Sequence, residues 1–169
     1  MIAKKQDVRL LLDNIRSVHN VGSIFRTAET LGISRIYCAG TTPTPLDRFG
    51  RKRRDFAKVA LGAEDSITWE YIEGGSGISS IESVKRLRKE GFLVIALEQS
   101  KDSIDYKDAA TRDSLTEKVL IILGAEVEGV SPELLKLADT IAEIPLKGKK
   151  ESLNVSVAAG IFLYRLLDL

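Results

Sequence analysis

Asn20, Gly22 and Arg26 are three residues whose types and spacing suit the binding of an anion. They lie within residues 14–28, which follow an apolar run and open a helix, where free backbone N–H groups attract anions. Arg26 lies two turns into this helix, on its polar side. The same pattern is also typical of an ordinary helix start, with Asn20 as the capping residue and Arg26 in solvent. The local sequence leaves both interpretations open.

A second segment, residues 124–129, places two glycines and two glutamates directly after a buried strand. Ligands of open α/β sheets bind beyond the carboxyl ends of the strands, and glycine lets a ligand approach the backbone. The segment lacks the glycine pattern of dinucleotide-binding proteins and the Gly-Lys-Ser/Thr of phosphate loops. It predicts either a ligand-binding turn of another kind or a plain turn with two solvated acids.

The third segment, residues 144–156, joins the end of a strand at Pro145 to the beginning of the last helix. A basic loop lies between them, and the helix begins at small polar residues. Ser152 and Asn154 are the candidates for chemistry in this segment. Either of them could instead simply cap the helix.

Strands and helices alternate along the chain around these three segments. Apolar runs predict strands at residues 8–12, 35–39, 92–97, 119–123 and 140–146. Helical spacing predicts a helix that ends before Gly32, helices over residues 78–90 and 153–167, and a helix start at Ser131-Pro132-Glu133. Residues 40–55 predict a long loop, and residues 74–77 a glycine-rich turn. The alternation predicts an α/β fold, with a single-domain parallel sheet and helices on both faces.

The composition suits one folded core and argues against several functional classes. The 169 residues are 44% hydrophobic, which is enough for a full core. A single cysteine, Cys38, and a single histidine, His19, argue against a disulfide framework and a zinc site, so we expect no metal. No apolar run reaches the roughly 18 residues that span a membrane, and the N-terminus lacks a signal peptide's apolar segment. We therefore expect a cytoplasmic protein.

Together, the three segments resemble the signature motifs of the SpoU family (TrmH-like) of RNA 2′-O-ribose methyltransferases, in the SPOUT superfamily. Residues 20–28 resemble the first motif, residues 123–130 the second, and residues 144–146 with 152–158 the third. The resemblance implies a single SpoU-type domain over residues 1–169, with no additional RNA-binding domain. It also implies a deep C-terminal trefoil knot, a rare exception to the usual topology rules, where the pattern alone predicts a plain doubly wound sheet.

The family binds S-adenosylmethionine in the knot, largely through backbone groups and apolar walls. The positions that match are Leu97, Gly124, Ile144, Leu146 and Leu153. The resemblance therefore implies methyl transfer from S-adenosylmethionine to a ribose 2′-hydroxyl of tRNA or rRNA, with the small size slightly favouring tRNA. Because the sulfonium carries its own leaving group, this reaction needs no metal.

The resemblance also assigns catalytic roles, with Arg26 matching the family's catalytic arginine. The ribose hydroxyl must lose its proton near the transition state, but a guanidinium, which keeps its own proton at neutral pH, is a poor base. We expect Arg26 to orient the target's phosphate and hydroxyl while phosphate or water takes the proton; arginine itself as the base is the alternative. Asn20 is expected to hold Arg26 or the ribose, and Glu126 to position the arginine or shape its loop. Ser152 and Asn154 are expected to fix the third motif and contact substrate.

Two clusters of basic residues are candidates for binding RNA phosphates. One contains Arg48, Arg51, Lys52, Arg53 and Arg54, and the other contains Lys147, Lys149 and Lys150. Ordinary solvated charge is the alternative. The resemblance further implies a homodimer whose site is completed across the interface. The apolar faces of the first and last helices are candidates for that interface, although either could equally belong to the core.

Two other functions remain to be weighed against the enzyme. A non-catalytic RNA-binding or assembly protein could retain the fold, but the motif residues assigned to catalysis are all present. A nucleotide-binding dehydrogenase would need a phosphate-binding loop that this sequence lacks. The methyltransferase is therefore the favoured interpretation, and the identity of its RNA cannot be read from these residues.

Overall fold

All five predicted strands are present in the computed structural model, which describes residues 6–72, 78–111 and 116–169. The strands are β1 (Asp7–Asp13), β2 (Arg35–Ala39), β3 (Trp69–Ile72), β4 (Leu93–Leu97), β5 (Ile104–Asp105), β6 (Lys118–Leu123) and β7 (Thr140–Glu143). The predictions correspond to β1, β2, β4, β6 and β7. Strands β3 and β5 span only four and two residues, too few for their pattern to predict them.

The helices cover both faces of the strands. They are α1 (Val18–Thr30), α2 (Arg54–Ala60), α3 (Ala63–Ser66), α4 (Ile78–Lys89), α5 (Tyr106–Ala109), α6 (Pro132–Leu135) and α7 (Val155–Leu166). The predicted stops after α1 and α4 are confirmed, because Gly32 and Gly91 have φ angles of +70° and +89°, which favour glycine. The turn predicted at residues 74–77 lies outside the described residues.

Among the described residues, the strands form one parallel sheet in the order β3-β2-β1-β6-β4-β7-β5. Successive residues of β1 point to opposite faces: Leu10 and Leu12 pack into a layer with α1, α2, α3 and α7, whereas Leu11 packs toward α4 and α6. The predicted fold class is thereby confirmed. The trefoil knot stays a prediction, because strand order alone does not specify how the chain is threaded.

Two predicted boundaries around the third motif are wrong. The strand predicted over residues 140–146 ends at Glu143, because Pro145 has no N–H for a strand ladder. The last helix begins at Val155 instead of Leu153. Its capping residue is Asn154, whose side chain accepts a hydrogen bond from Ser156 N at 2.9 Å.

The loop predicted over residues 40–55 is also too long at its end. Helix α2 already begins at Arg54, and Asp55 lies in its first turn, where a negative charge favours a helix. Phe56 and Ala60 on this helix are buried, and Phe56 packs edge-on against Phe25 of α1 at 5.1 Å between ring centroids. This apolar face holds α2 against the core.

The order of the strands brings the three motifs together. Strands β1, β6, β4 and β7 are consecutive neighbours and all parallel, so their carboxyl ends share one edge of the sheet. The first motif follows β1, the second follows β6, and the third follows β7. Ligands of parallel sheets bind at this edge.

Helices α1 and α7 differ in what they leave exposed. Four apolar residues of α1, Val21, Ile24, Phe25 and Ala28, are fully buried in the chain's own core, so that face is not free for an interface. Helix α7 buries Phe162 and Leu163 but exposes Val157 and Ile161, at 51% and 38% of their surface. In the part of the chain that the structure describes, no helix has the length and apolarity to cross a membrane.

Candidate active site

Glu126 of the second motif lies against the beginning of α1. Its Oε1 accepts a hydrogen bond from Asn20 Nδ2 at 2.8 Å, and its carboxylate lies 3.3 Å and 3.4 Å from the backbone nitrogens of Arg16 and Ser17. Ser17 is the capping residue of α1, since its Oγ accepts a hydrogen bond from Asn20 N at 3.2 Å. The anion at this helix entrance is therefore one of the protein's own side chains.

The contacts of Glu126 keep its carboxylate ionised. Partial burial by itself raises the pKa of Glu126, but the hydrogen bond from Asn20 and those from backbone N–H groups outweigh it. The net pKa of Glu126 lies below its ordinary value. Glu126 is thus a fixed negative charge at neutral pH.

Asn20 joins the first motif to the third as well as to the second. Its Oδ1 accepts a hydrogen bond from Asn154 Nδ2 at 3.0 Å, while its Nδ2 donates to Glu126. Asn154 in turn accepts from the Ser156 hydroxyl at 2.6 Å. Asn20 therefore connects the three motifs, and no hydrogen bond joins its side chain to Arg26 of its own chain.

A cavity of about 530 Å³ opens beside this junction. All five residues predicted for the cofactor line it: Leu97, Gly124, Ile144, Leu146 and Leu153. Glu126, Ser152 and Asn154 line the same cavity. Three of the five residues predicted for catalysis therefore line the cavity. Asn20 does not line it, but it is hydrogen-bonded to Glu126 and Asn154, which do.

Glu98 is a residue of this cavity that the sequence patterns do not indicate. It directly follows β4, and its Oε2 accepts a hydrogen bond from Val130 N at 2.8 Å. Its Oε1 accepts another from Gln99 N at 2.8 Å. The carboxylate therefore fastens the end of the second motif to β4. Its position directly after a buried strand is the signal that could have identified it.

The polar lining of the cavity is acidic. Glu98, Glu126, Glu143 and Glu151 line it, and none of its described lining residues is a lysine or arginine. Carboxylates favour a cationic ligand, and the leucine, isoleucine and alanine side chains offer apolar surface. The residues therefore fit a ligand with a positively charged centre and apolar parts, such as S-adenosylmethionine.

Gly124 fills a position in the cavity wall where no side chain fits. A Cβ there would lie 2.2 Å from both Gly129 C and Val130 N, which are backbone atoms. Ala125 and Gly129 exchange two backbone hydrogen bonds of 3.0 Å, which close the turn between them. The second motif is thus a tight turn whose backbone forms one wall of the cavity.

Arg26 lies apart from this cavity. It lines a groove of about 550 Å³ between α1, α2 and the end of α7, together with His19, Ser23, Lys58 and Tyr164, among others. No hydrogen bond or ion pair joins its guanidinium to another described residue. Within one chain, the structure therefore does not bring Arg26 together with the residues predicted for the cofactor.

Much of the basic loop is paired with acids. Arg51 lies 2.8 Å from Asp47, Lys52 lies 2.8 Å from Asp65, and Arg53 lies 2.7 Å from Asp55. Arg48 and Arg54 have no such partner among the described residues. Lys149 and Lys150, beside the third motif, are exposed. The predicted RNA-binding loop therefore carries less free positive charge than its sequence suggests.

Comparison with known proteins identifies the family over most of the chain. Residues 7–164 match the SpoU rRNA Methylase family. The chain is 30% identical over 162 residues to a tRNA (guanosine(18)-2′-O)-methyltransferase of Aquifex aeolicus, covering 95% of this chain and 69% of that protein. It is 29% identical over 165 residues to the enzyme of the same name from Escherichia coli, covering 97% of this chain and 65% of that protein.

Solved structures agree with these sequence matches. The A. aeolicus TrmH/SpoU tRNA modifying enzyme superposes with a TM-score of 0.78 at 26% identity, covering 98% of this chain and 77% of the other. An AdoMet-bound rRNA methyltransferase from Sinorhizobium meliloti superposes with a TM-score of 0.79 at 26% identity, covering 98% and 57%. These similarities extend over nearly the whole of the present chain.

Proposed function

Because the chain belongs to the SpoU rRNA Methylase family, we propose that it transfers a methyl group from S-adenosylmethionine to a ribose 2′-hydroxyl of RNA. The observation that carries this proposal is the junction of Glu126, Asn20 and Asn154, which joins all three motifs beside one acidic and apolar cavity. Two similar proteins are named tRNA (guanosine(18)-2′-O)-methyltransferases, and these matches favour tRNA over rRNA as the substrate. A tRNA substrate also supports the expected cytoplasmic location.

The cavity is where we place S-adenosylmethionine. When bound, this cofactor supplies a methyl group attached to a sulfonium, and the sulfur becomes a neutral thioether once the methyl group is transferred. Leu97, Leu146 and Leu153 offer apolar contacts, and the tight turn at Gly124 lets backbone groups reach the ligand. The carboxylates of Glu98 and Glu126 favour the cofactor's positive charge. Asn154 holds the third motif at the cavity through its hydrogen bonds to Asn20 and Ser156, and Ser152 lines the same cavity.

We assign to Arg26 the binding and orientation of the substrate's phosphate and hydroxyl. A guanidinium stays charged at neutral pH, so it donates hydrogen bonds and does not take the hydroxyl proton. The proton then leaves to the substrate phosphate or to water. Arg26 is exposed and has no acidic partner among the described residues, so its donors are free for RNA.

A homodimer explains how Arg26 can serve a cavity that its own chain does not place beside it. The exposed face of α7 carries Val157 and Ile161, and Tyr164 one turn further lines the groove of Arg26. A second copy that covers this apolar face would therefore lie at the rim of that groove. We propose that each active site combines the cavity of one subunit with Arg26 of its partner.

The test is Arg26→Ala, assayed with bulk tRNA and rRNA and labelled S-adenosylmethionine. We expect at least a hundredfold loss of methyl transfer, roughly the contribution of one positioned charged donor, with unchanged cofactor affinity by calorimetry. Arg86→Ala is the control, because Arg86 is exposed on α4, on the opposite face of the sheet. Full activity of Arg26→Ala would contradict its assignment, and a wild-type protein that methylates neither RNA would contradict the proposed function.

A further inference from the structure

The groove that contains Arg26 has a second cationic side chain, Lys58, which neither the motifs nor the proposed mechanism uses. The groove lies between α1 and α2 and continues to Tyr164 on α7. Its described lining includes the hydroxyl groups of Ser23 and Thr27 and contains no aspartate or glutamate. Such a surface attracts an anion and supplies hydrogen-bond donors to it.

Gly22 of the first motif explains how Lys58 comes to share a groove with Arg26. A Cβ at Gly22 would lie 2.9 Å from Val59 Cβ, so a larger residue would push α1 and α2 apart. Arg26 follows Gly22 by one turn on the same face of α1, and Lys58 directly precedes Val59 on α2. The close contact at Gly22 therefore sets both cationic residues on the walls of one groove.

Lys58 differs from three of the five basic residues of the neighbouring loop in having no acidic partner among the described residues. Arg51, Lys52 and Arg53 each form an ion pair with a nearby aspartate. Lys58 is exposed, and no ion pair or hydrogen bond joins its ammonium to another described residue. A cation that is paired with an aspartate must break that ion pair to bind a phosphate. Lys58 has no such ion pair to break among the described residues. Its charge is therefore more available than that of Arg51, Lys52 and Arg53.

We propose that this groove is a binding site for an RNA backbone phosphate, in which Lys58 acts beside Arg26. The inference rests on the proposed function and adds a substrate-binding residue to it. Lys58 contacts the phosphate as a point charge, while the planar guanidinium of Arg26 fixes the orientation. His19 and the hydroxyl groups of Ser23 and Thr27 complete the walls of the site.

Lys58→Gln tests the assignment, with bulk tRNA as the probe and salt varied from about 50 to about 200 mM. We expect roughly tenfold weaker RNA binding, and a slope of log affinity against log salt that is smaller by about 0.7 to 0.9, as for one lost phosphate contact. Lys58→Arg should restore most of both. Lys89→Gln is the matched control, since Lys89 is an exposed lysine at the end of α4 on the opposite face of the sheet.

Cofactor affinity and methylation by the wild-type protein separate the two ways in which this experiment can fail. Lys58→Gln should bind S-adenosylmethionine normally, because Lys58 does not line the cofactor cavity. If the wild-type protein methylates RNA while Lys58→Gln and Lys89→Gln share its affinity and salt slope, the phosphate site alone is overturned. If the wild-type protein neither binds nor methylates RNA, the proposed function is overturned and the phosphate site with it.

Discussion

The Glu126 carboxylate accepts hydrogen bonds from Asn20 Nδ2 and from two backbone N–H groups at the beginning of α1. A helix N-terminus carries partial positive charge, and this side chain compensates it. Glu126 also lines the cavity proposed for the cofactor. Glu126 therefore both holds the first motif in place and contributes negative charge to the cavity. Asn20 links it to the third motif by accepting a hydrogen bond from Asn154.

Replacing Glu126 with glutamine should change how stability depends on pH. The pKa of Glu126 in the folded protein lies below the ordinary 4.5, so its stabilising contribution is present above that pH and is lost as the pH falls further. We expect the free energy of unfolding of the wild type to exceed that of Glu126→Gln by less than about 1 kcal/mol at neutral pH, since the side chain is largely exposed. The difference should shrink from about pH 5 to about pH 3.

Urea unfolding across this pH range gives the measurement. Glu29→Gln serves as the control, because Glu29 is an exposed glutamate at the far end of α1, the helix whose beginning Glu126 contacts. A constant difference between the wild type and Glu126→Gln at all pH values would show that the hydrogen bonds of Glu126 do not depend on its charge.

At the scale of the elements, β4 and β6 both contribute to the tight turn that follows β6. The turn is closed by hydrogen bonds between Ala125 and Gly129, and Glu98 after β4 binds its last residue, Val130. The turn is thus held by two neighbouring strands at once. Gly124 packs directly on the backbone of Gly129, so main-chain atoms form this wall of the cavity. They leave no space for a side chain at Gly124.

Gly124→Ala should therefore damage both stability and cofactor binding. The new Cβ would meet backbone atoms at 2.2 Å, so the turn must move, at a cost of roughly 3 kcal/mol in the free energy of unfolding. Urea unfolding and calorimetry with S-adenosylmethionine measure the two effects. Gly148→Ala is the matched control, since a Cβ at Gly148 meets nothing within 4 Å. Equal stability of the two variants would show that the turn yields easily.

At the scale of the whole molecule, the residues proposed for the two substrates lie in separate places. The cofactor cavity opens at the carboxyl ends of β4, β6 and β7, whereas Arg26 and Lys58 line the groove between α1 and α2. Methyl transfer requires the two substrates to meet. The exposed apolar face of α7, with Val157 and Ile161, adjoins the groove and is the surface on which a second copy would bring them together.

Mixed dimers test whether each active site combines the cavity of one subunit with Arg26 of its partner. Arg26→Ala removes the substrate residue, and Leu146→Trp fills the cavity of the other subunit, so each variant alone should be inactive. Co-expressed in equal amounts, they should recover about a quarter of wild-type activity, because about half of the dimers are mixed and each has one intact site. No recovery in purified mixed dimers would mean that Arg26 and the cavity act within one chain.

The sequence alone determined five of the seven described strands and the type of site, because both depend on residues close together in the chain. Buried parallel strands are continuous apolar runs, so β1, β2, β4, β6 and β7 could be predicted. Gly32 and Gly91 marked the ends of α1 and α4. The order of the three motifs indicated the family and the cofactor, and all five residues predicted for the cofactor line one cavity.

Only the tertiary structure decided which of the distant side chains meet. Asn20 and Asn154 lie 134 positions apart, and they touch only because β1, β6, β4 and β7 are neighbours in the sheet. The pairing of Lys52 with Asp65, which reduces the charge of the basic loop, depends likewise on how α3 packs. The separation of Arg26 from the cavity also follows from the packing of helices on the sheet, because a local sequence pattern specifies the face of an element and not its neighbours.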